Sequence, residues 1–268
     1  MSESEPGPIF NRAASTYDRV VPMFAQFGQR TVEASPLRMG DRVLDIACGR
    51  GATLFPALEK VGPRGHVTGI DIAPEMVRLT SEDVAQRGIA NVRVAEMDAR
   101  DLQFADASFD AVICAFAIFL IPQPERVLQE ICRVLKPGGA VTLSTWVGDD
   151  RRWAWMGPLA GLLLGPVARR SADPYKEEGS LQRALGVAGL SVSTIDESDT
   201  TLYFRDLDHW IEWMRSHGGL VLIDPLEQTE GAMARFNEAA GRETSKFREE
   251  AGIPLLQRAR YTVAVRPG

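Results

Sequence analysis

The chain has 268 residues, 45% of them hydrophobic and 25% charged, which is enough length and apolar content for one large core or a core plus a small cap. A net charge of −6 and an isoelectric point near 5.3 exclude the basic footprint that nucleic acid or an anionic membrane attracts. The longest apolar run, Ala111 to Ile121, is too short to span a bilayer, and the N-terminal MSESEPGP lacks the parts of a signal peptide, so the chain reads as cytoplasmic.

Residues 1–8 carry no apolar anchor and are expected to form a disordered tail. Phe10 to Ser35 has a helical pattern, broken near Pro22. Val43 to Ala47 is then a short, continuous apolar strand of the kind buried on both faces of a parallel sheet. A helix follows Gly51, and His66 to Ile72 gives a second strand. Pro74 opens the next helix and Gly88 stops it. Val92 to Met97 and Phe109 to Phe116 are the third and fourth strands. Pro124 to Leu135 places Val127, Leu128, Ile131, Val134 and Leu135 on one helical stripe. Pro137, Gly138 and Gly139 predict a turn into the strand Ala140 to Trp146. Five strands alternating with helices make an α/β, doubly wound, mostly parallel sheet. From Val147 to Arg258 the pattern loosens. Trp153 to Leu164 and His209 to Ile223 read as cap helices, and Tyr261 to Val265 as an antiparallel strand near the sheet edge.

The first strand runs into VLDIACGRG, Val43 to Gly51. Glycines let a backbone turn tightly and bring its amides against a negative group at a helix start. Asp71 follows Gly49 by 22 residues, a spacing that suits a carboxylate accepting from ribose hydroxyls at the end of the second strand. A dinucleotide would want a third glycine where Leu54 stands, and Asp45 would repel its pyrophosphate. The same carboxylate attracts an ammonium group. S-adenosylmethionine has that ammonium, a carboxylate for the loop amides and a ribose for Asp71.

VLDIACGRG, GIDIAPEMV (Gly69 to Val77), AEMDARDLQF (Ala95 to Phe104), SFDAVICAFAIF (Ser108 to Phe119) and RVLKPGG (Arg133 to Gly139) stand in order. Together they resemble the motifs of class I S-adenosylmethionine-dependent methyltransferases, especially relatives of quinone C-methyltransferases and bacterial natural-product methyltransferases. The resemblance spans Phe10 to Trp146. It implies a Rossmann-like, seven-stranded sheet with an N-terminal helical lid and an inserted helical cap. The lid helices would be residues 9–36, the cofactor-binding core 37–147, the substrate cap with strand six 148–258, and the last strand 259–268.

The resemblance also implies residue roles. Asp45 would sit near the methionine ammonium, with Ala47, Gly49 and Gly51 along the amino-acid end. Asp71 would hold the ribose hydroxyls, while Ile72 and Met76 pack on the adenine. Asp98 would accept from the adenine amino group and the Ala99 backbone would read the ring edge. Ala115 and Phe116 would pass the methionine segment. Tyr17, in FNRAASTYD, matches a lid tyrosine of related enzymes; a core aromatic of the first helix is the competing reading.

Single aspartates often end strands or cap helices, but three after apolar strands in one ordered motif set favour a ligand. Cys48 fits as a small buried thiol and is given no chemistry. Cys48, Cys114 and Cys132 have no metal-ligand spacing, strand four delivers no acid cluster, and no metal is expected. His217 is the histidine best placed by sequence for a general base, with an ordinary pKa of about 6.5. Trp153, Trp155, Trp210 and Trp213 read as packing or as substrate pocket. Asp173-Pro174-Tyr175 resembles a strand-four signature of nucleic-acid amino-methyltransferases but stands in the wrong place.

The expected activity is methyl transfer to oxygen, nitrogen or carbon of a small, largely apolar acceptor, first in natural-product tailoring and next in quinone or lipid methylation. The chain would act as a monomer or homodimer, without nucleic acid or membrane insertion. A nicotinamide oxidoreductase is the rival disfavoured by Leu54 and Asp45. A cyclase or regulator that binds the cofactor without transferring methyl is the other.

Overall fold

The computed structural model describes residues 6–165, 173–175, 177 and 179–268. Five segments form the parallel part of one sheet: β1 (Arg42–Ile46), β2 (His66–Asp71), β3 (Val92–Glu96), β4 (Phe109–Ala115) and β5 (Leu135–Trp146). β6 (Ser191–Phe204) and β7 (Ile253–Val265) complete the order β3-β2-β1-β4-β5-β7-β6. The connection changes direction between β1 and β4, so the carboxyl ends of these strands open a crevice there.

Alternation along β1 and β4 builds two apolar layers. Leu44, Ile46, Val112 and Cys114 pack on one face with Val127, Leu128, Ile131 and Val134 of α5 (Pro124–Val134). Val43, Ala111 and Ile113 pack on the other face with Leu54, Ala57, Leu58 and Val61 of α3 (Leu54–Val61). α4 (Pro74–Gln86) lies against β2 and β3. Pro74 takes its first turn, and Gly88, at φ +63°, follows its end.

The structure departs from two expectations and meets a third. The predicted turn at Pro137–Gly139 is a bulge inside β5: the strand continues through it, and the β4–β5 register shifts between Phe109 and Ala111. A Cβ at Gly139 would lie 2.8 Å from the Asp110 carbonyl oxygen, which explains the glycine there. The closing strand is antiparallel and near the sheet edge as expected: β7 pairs with both β5 and β6 and sits between them. β6 is the edge. It is mostly exposed and carries Glu197 and Asp199 opposite Arg260 and Arg258, polar cover suited to an edge strand. Residues 6–8, expected in the tail, belong to the folded chain. α1 begins at Gly7, which is buried against Ile72, while residues 1–5 lie outside the described residues.

α1 (Gly7–Ala13) and α2 (Met23–Ala34) lie over the carboxyl edge of the sheet. Asn11 accepts from the Glu75 amide at 2.8 Å, satisfying the start of α4, and Arg12 pairs with Asp224. Asp224 belongs to α9 (Leu220–Gln228), so α1 is held between α4 and the cap. A Cβ at Gly28 of α2 would stand 2.3 Å from the Ala52 carbonyl oxygen, so only glycine lets the helix close on the loop after β1. The cap comprises α6 (Met156–Leu164), α8 (Leu207–Arg215), α9 and α10 (Ala232–Ser245), with α7 (Ser180–Val187) packing against α5 and β6. Its centre is Trp153, Trp210, Trp213, Phe204 and Phe236, all buried.

Candidate functional site

One cleft follows the carboxyl ends of β1 to β4, with ≈ 770 Å³ of empty space counted to its mouth. Tyr17, Ala47, Gly49, Asp71, Ile72, Met76, Asp98, Ala99, Ala115 and Phe116 line it together. Pro6, Phe10, Met97, Arg100, Leu120, Ile121 and Pro122 complete much of the wall. Of these, Leu120 and Ile121 belong to the apolar run noted in the sequence and Met97 and Arg100 to the AEMDARDLQF motif, while Pro6, Phe10 and Pro122 carry no pattern that marks them as lining the cleft. Asp45, Gly51 and His217 are not in the wall.

The loop after β1 is shaped by backbone conformation. Ala47, Gly49 and Gly51 all have positive φ, at +54°, +50° and +83°. Phe116, facing the loop from the end of β4, is also left-handed at +53°. Two non-glycine residues in this conformation, both in one cleft, mark a place where the fold holds strain of order 1–3 kcal/mol each. Phe116 is held by its amide donating to the Ser144 carbonyl at 3.0 Å, and its ring packs on Trp146 and Phe27.

Asp71 ties the two loops together. Its Oδ2 accepts from the Gly49 amide and its Oδ1 from the Ala73 amide, each at 2.9 Å. Burial pushes its pKa up while the backbone amides pull it down. Each oxygen retains acceptor capacity toward the cleft.

Asp45 lies beneath the loop with no solvent exposure. Thr53 Oγ1 donates to its Oδ2 at 2.7 Å, and its Oδ1 is buried with no hydrogen-bond partner among the described residues. Burial pushes its pKa up to about 7, against the Thr53 hydrogen bond and helped by Asp71. A buried carboxylate with an unsatisfied oxygen fits a cationic or donor group brought to the loop.

Asp98 is engaged by Arg100, whose Nε and Nη2 donate to the carboxylate at 2.7–3.0 Å and whose amide donates to Oδ1 at 2.8 Å. The guanidinium holds the carboxyl below its usual range. Any adenine amino group at Asp98 therefore shares the acceptor with Arg100.

Tyr17 stacks on Phe24 at 4.9 Å and meets the edge of Phe10 at 6.3 Å. Burial, then Asp18 and Asp71, push its phenol far up, so it stays protonated. His217 lies two rings from the cleft: it packs on Phe24 at 6.0 Å and on Trp213 at 4.3 Å. Its Nδ1 is 3.3 Å from the Met214 carbonyl oxygen. Burial pushes its pKa down to about 4, rather than the expected 6.5. His217 thus stands behind Phe24 and does not line this cleft. Burial, then the nearby Asp45 and Asp71, push the Cys48 thiol up. Among the described residues no three His, Cys, Asp or Glu side chains are grouped to hold a metal ion, and no helix is long and apolar enough to cross a membrane.

Residues 43–139 match a family described as a methyltransferase domain. Nocamycin O-methyltransferase of Saccharothrix syringae is 34% identical over 237 residues, covering 81% of this chain and 84% of that protein. Aklanonic acid methyltransferase DauC of Streptomyces sp. (strain C5) is 41% identical over 137 residues, 51% of this chain and 62% of the relative. This chain therefore matches less than two thirds of the second protein's length. The crystal structure of the YcgJ protein of Bacillus subtilis aligns with a TM-score of 0.62 at 22% identity, covering 91% of this chain and 99% of that one, and shows a shared fold. With the ordered motifs, the seven-stranded sheet and a relative matched over most of both lengths, the chain belongs to the S-adenosylmethionine-dependent methyltransferases.

Proposed function

We propose that the cleft binds S-adenosylmethionine and that the chain methylates a small, largely apolar bacterial natural product, most readily at oxygen. The observation that carries the cofactor reading is Asp45: a buried carboxylate beneath the glycine loop with one unsatisfied oxygen suits an ammonium and opposes a pyrophosphate. When bound, the cofactor supplies an electrophilic methyl group on its sulfonium. Asp71 would hold the ribose hydroxyls, Ile72 and Met76 the adenine faces, and Asp98 with the Ala99 backbone the adenine edge. Ala47, Gly49 and Gly51 would bring the loop against the amino-acid end.

The apolar walls from Ala115 to Ile121 exclude water, and Tyr17 closes the N-terminal side as a lid. Alignment of acceptor and methyl group supplies much of the acceleration, since effective molarities of about 10⁵–10⁸ M are reached by positioning. Nocamycin O-methyltransferase, as its name says, acts at oxygen, which favours oxygen as the acceptor here, and it and aklanonic acid methyltransferase favour a natural product as substrate. No metal enters this reading; the chain works in the cytoplasm on free small molecules, as a monomer or homodimer.

Calorimetric titration with S-adenosylmethionine and with the nicotinamide dinucleotides tests the cofactor. Binding of the first alone supports the reading, and preference for a dinucleotide overturns it. A second reading, cofactor binding without methyl transfer, is favoured by one observation. Among the described titratable groups of the wall, Tyr17 stays protonated, Asp98 is held below its usual range by Arg100, and Asp71 already accepts from two backbone amides, so none stands as a free base. S-adenosylhomocysteine formed only when an acceptor is present decides for transfer.

A further inference from the structure

A second cleft opens beside the glycine loop, between α2, α3 and α4, with ≈ 1020 Å³ of empty space counted to its mouth. Tyr17 lines both clefts and stands between them; Gly51 lines only the second. Arg19, Arg50 and Arg87 contribute to its wall. The Arg50 side chain is only 11% exposed; its Nη2 donates to Asp83 at 2.7 Å, and its Nη1 is buried without a hydrogen-bond partner among the described residues. Arg19 is close enough to oppose the charge on Arg50. Arg87 lies over the Phe55 ring at 3.9 Å, and neither Arg19 nor Arg87 has an ion-pair partner among the described residues.

The acids of the same wall are already engaged. Asp83 faces Arg50, and Asp18 accepts from the Phe24 and Ala25 amides at the start of α2, at 2.8 and 2.7 Å. Like charges gathered around one acid favour the arrival of an anion. The planar fork of arginine matches the paired oxygens of a carboxylate or phosphate.

We propose that this second cleft is an oxyanion site, taking a carboxylate or phosphate group between Arg19 and Arg50. Two sources present that chemistry. One is the amino-acid carboxylate of the cofactor, reaching past Tyr17 along the glycine loop; this source rests on the cofactor reading above. The other is the acid group of a separate small ligand, which does not.

The test titrates the full chain with S-adenosylhomocysteine, its decarboxylated analogue and inorganic phosphate, at about 0.15 M salt. The analogue keeps the amine and lacks only the carboxylate. Arg19→Gln is the main variant because Arg19 is exposed, so its loss spares the fold; Arg50→Gln is the second. Arg19→Gln that weakens S-adenosylhomocysteine about tenfold and the analogue less than about twofold supports the site with the cofactor as source. Wild-type binding of phosphate that falls about tenfold in Arg19→Gln, with S-adenosylhomocysteine unchanged, supports it with a separate ligand. Affinities for all three probes that stay within about twofold across wild type and both variants overturn the proposal. If neither adenosyl probe binds wild type, the cofactor reading fails while the phosphate titration still decides the oxyanion site.

Discussion

Around the ends of β1, β2 and β3, Asp45, Asp71 and Asp98 each hold a hydrogen bond within the protein and stand in or beneath the cleft. In the cap, Trp153 stacks on Trp155 and Trp210, and Trp210 on Phe236, while none of these rings lines the cleft. In the proposed reading, the first region uses each polar group twice, once for the fold and once for a ligand. The second packs its rings on one another, with Trp153 Nε1 donating to the Pro254 carbonyl at 2.9 Å. A rich cluster of rings is thus weaker evidence of a binding pocket than a few carboxylates whose oxygens are only partly satisfied.

The largest expected effect tests the cap. Trp210 is 1% exposed, so Trp210→Ala should destabilise the fold by about 3–5 kcal/mol, seen as a lower urea midpoint, with cofactor affinity of the folded fraction unchanged. A variant of normal stability with altered acceptor KM would return this ring to the substrate pocket.

Asp71→Ala tests double use directly. Cofactor affinity should fall by about 1.5–3 kcal/mol, and because two loop amides lose their acceptor, stability should fall by about 1–3 kcal/mol as well. Calorimetry showing normal affinity in a folded variant removes the ribose assignment.

Asp45 sharpens the comparison through pH. Its carboxyl is raised to about 7, so the fold loses stability as pH rises from the ordinary carboxylate range through 7. A cation at Asp45 favours the ionised form, so binding of S-adenosylmethionine should release a proton and strengthen as pH approaches 7, then level off. Adenosine, which has no ammonium, should show neither effect. Asp45→Asn should remove the pH dependence and weaken S-adenosylmethionine about tenfold at pH 8. Equal losses for both ligands would mean that Asp45 acts through the fold.

The smallest effect belongs to His217. With its pKa pushed down to about 4, the histidine contributes stability above the ordinary histidine range that is lost as pH falls through 4. His217→Gln should leave single-turnover rates at saturating cofactor within about threefold, with no acid limb near 6.5 attributable to this ring. A loss of about 10²-fold or more would place it in the chemistry after all.

Much of the cofactor half was legible in the sequence because continuous apolar strands are punctuated by Gly51, Pro74 and Gly88. Ten of the expected cofactor contacts line one cleft. The amide bonds to Asp71 and the Arg100 grip on Asp98 were not legible, since both depend on where a loop comes to rest. β6 is implied only by the resemblance and without bounds, because its acids find Arg258 and Arg260 only once the register exists. α10 buries Ala232, Phe236, Ala240 and Thr244 at a spacing of four, too small and mixed a stripe to stand out. His217 shows the remaining gap: spacing along a chain gives a residue's face but not its depth.

The place of β7 shapes how the molecule is made. Synthesis runs from the N-terminus, so β5 waits beside an unpaired edge, and β6 has no sheet to join, until residues 253–265 have left the ribosome. The nascent chain can assemble its parallel strands early, but the sheet closes last, from the inside. Shortening the chain within β7 should therefore produce insoluble protein, whereas losing residues 1–5 leaves every described strand with its neighbours.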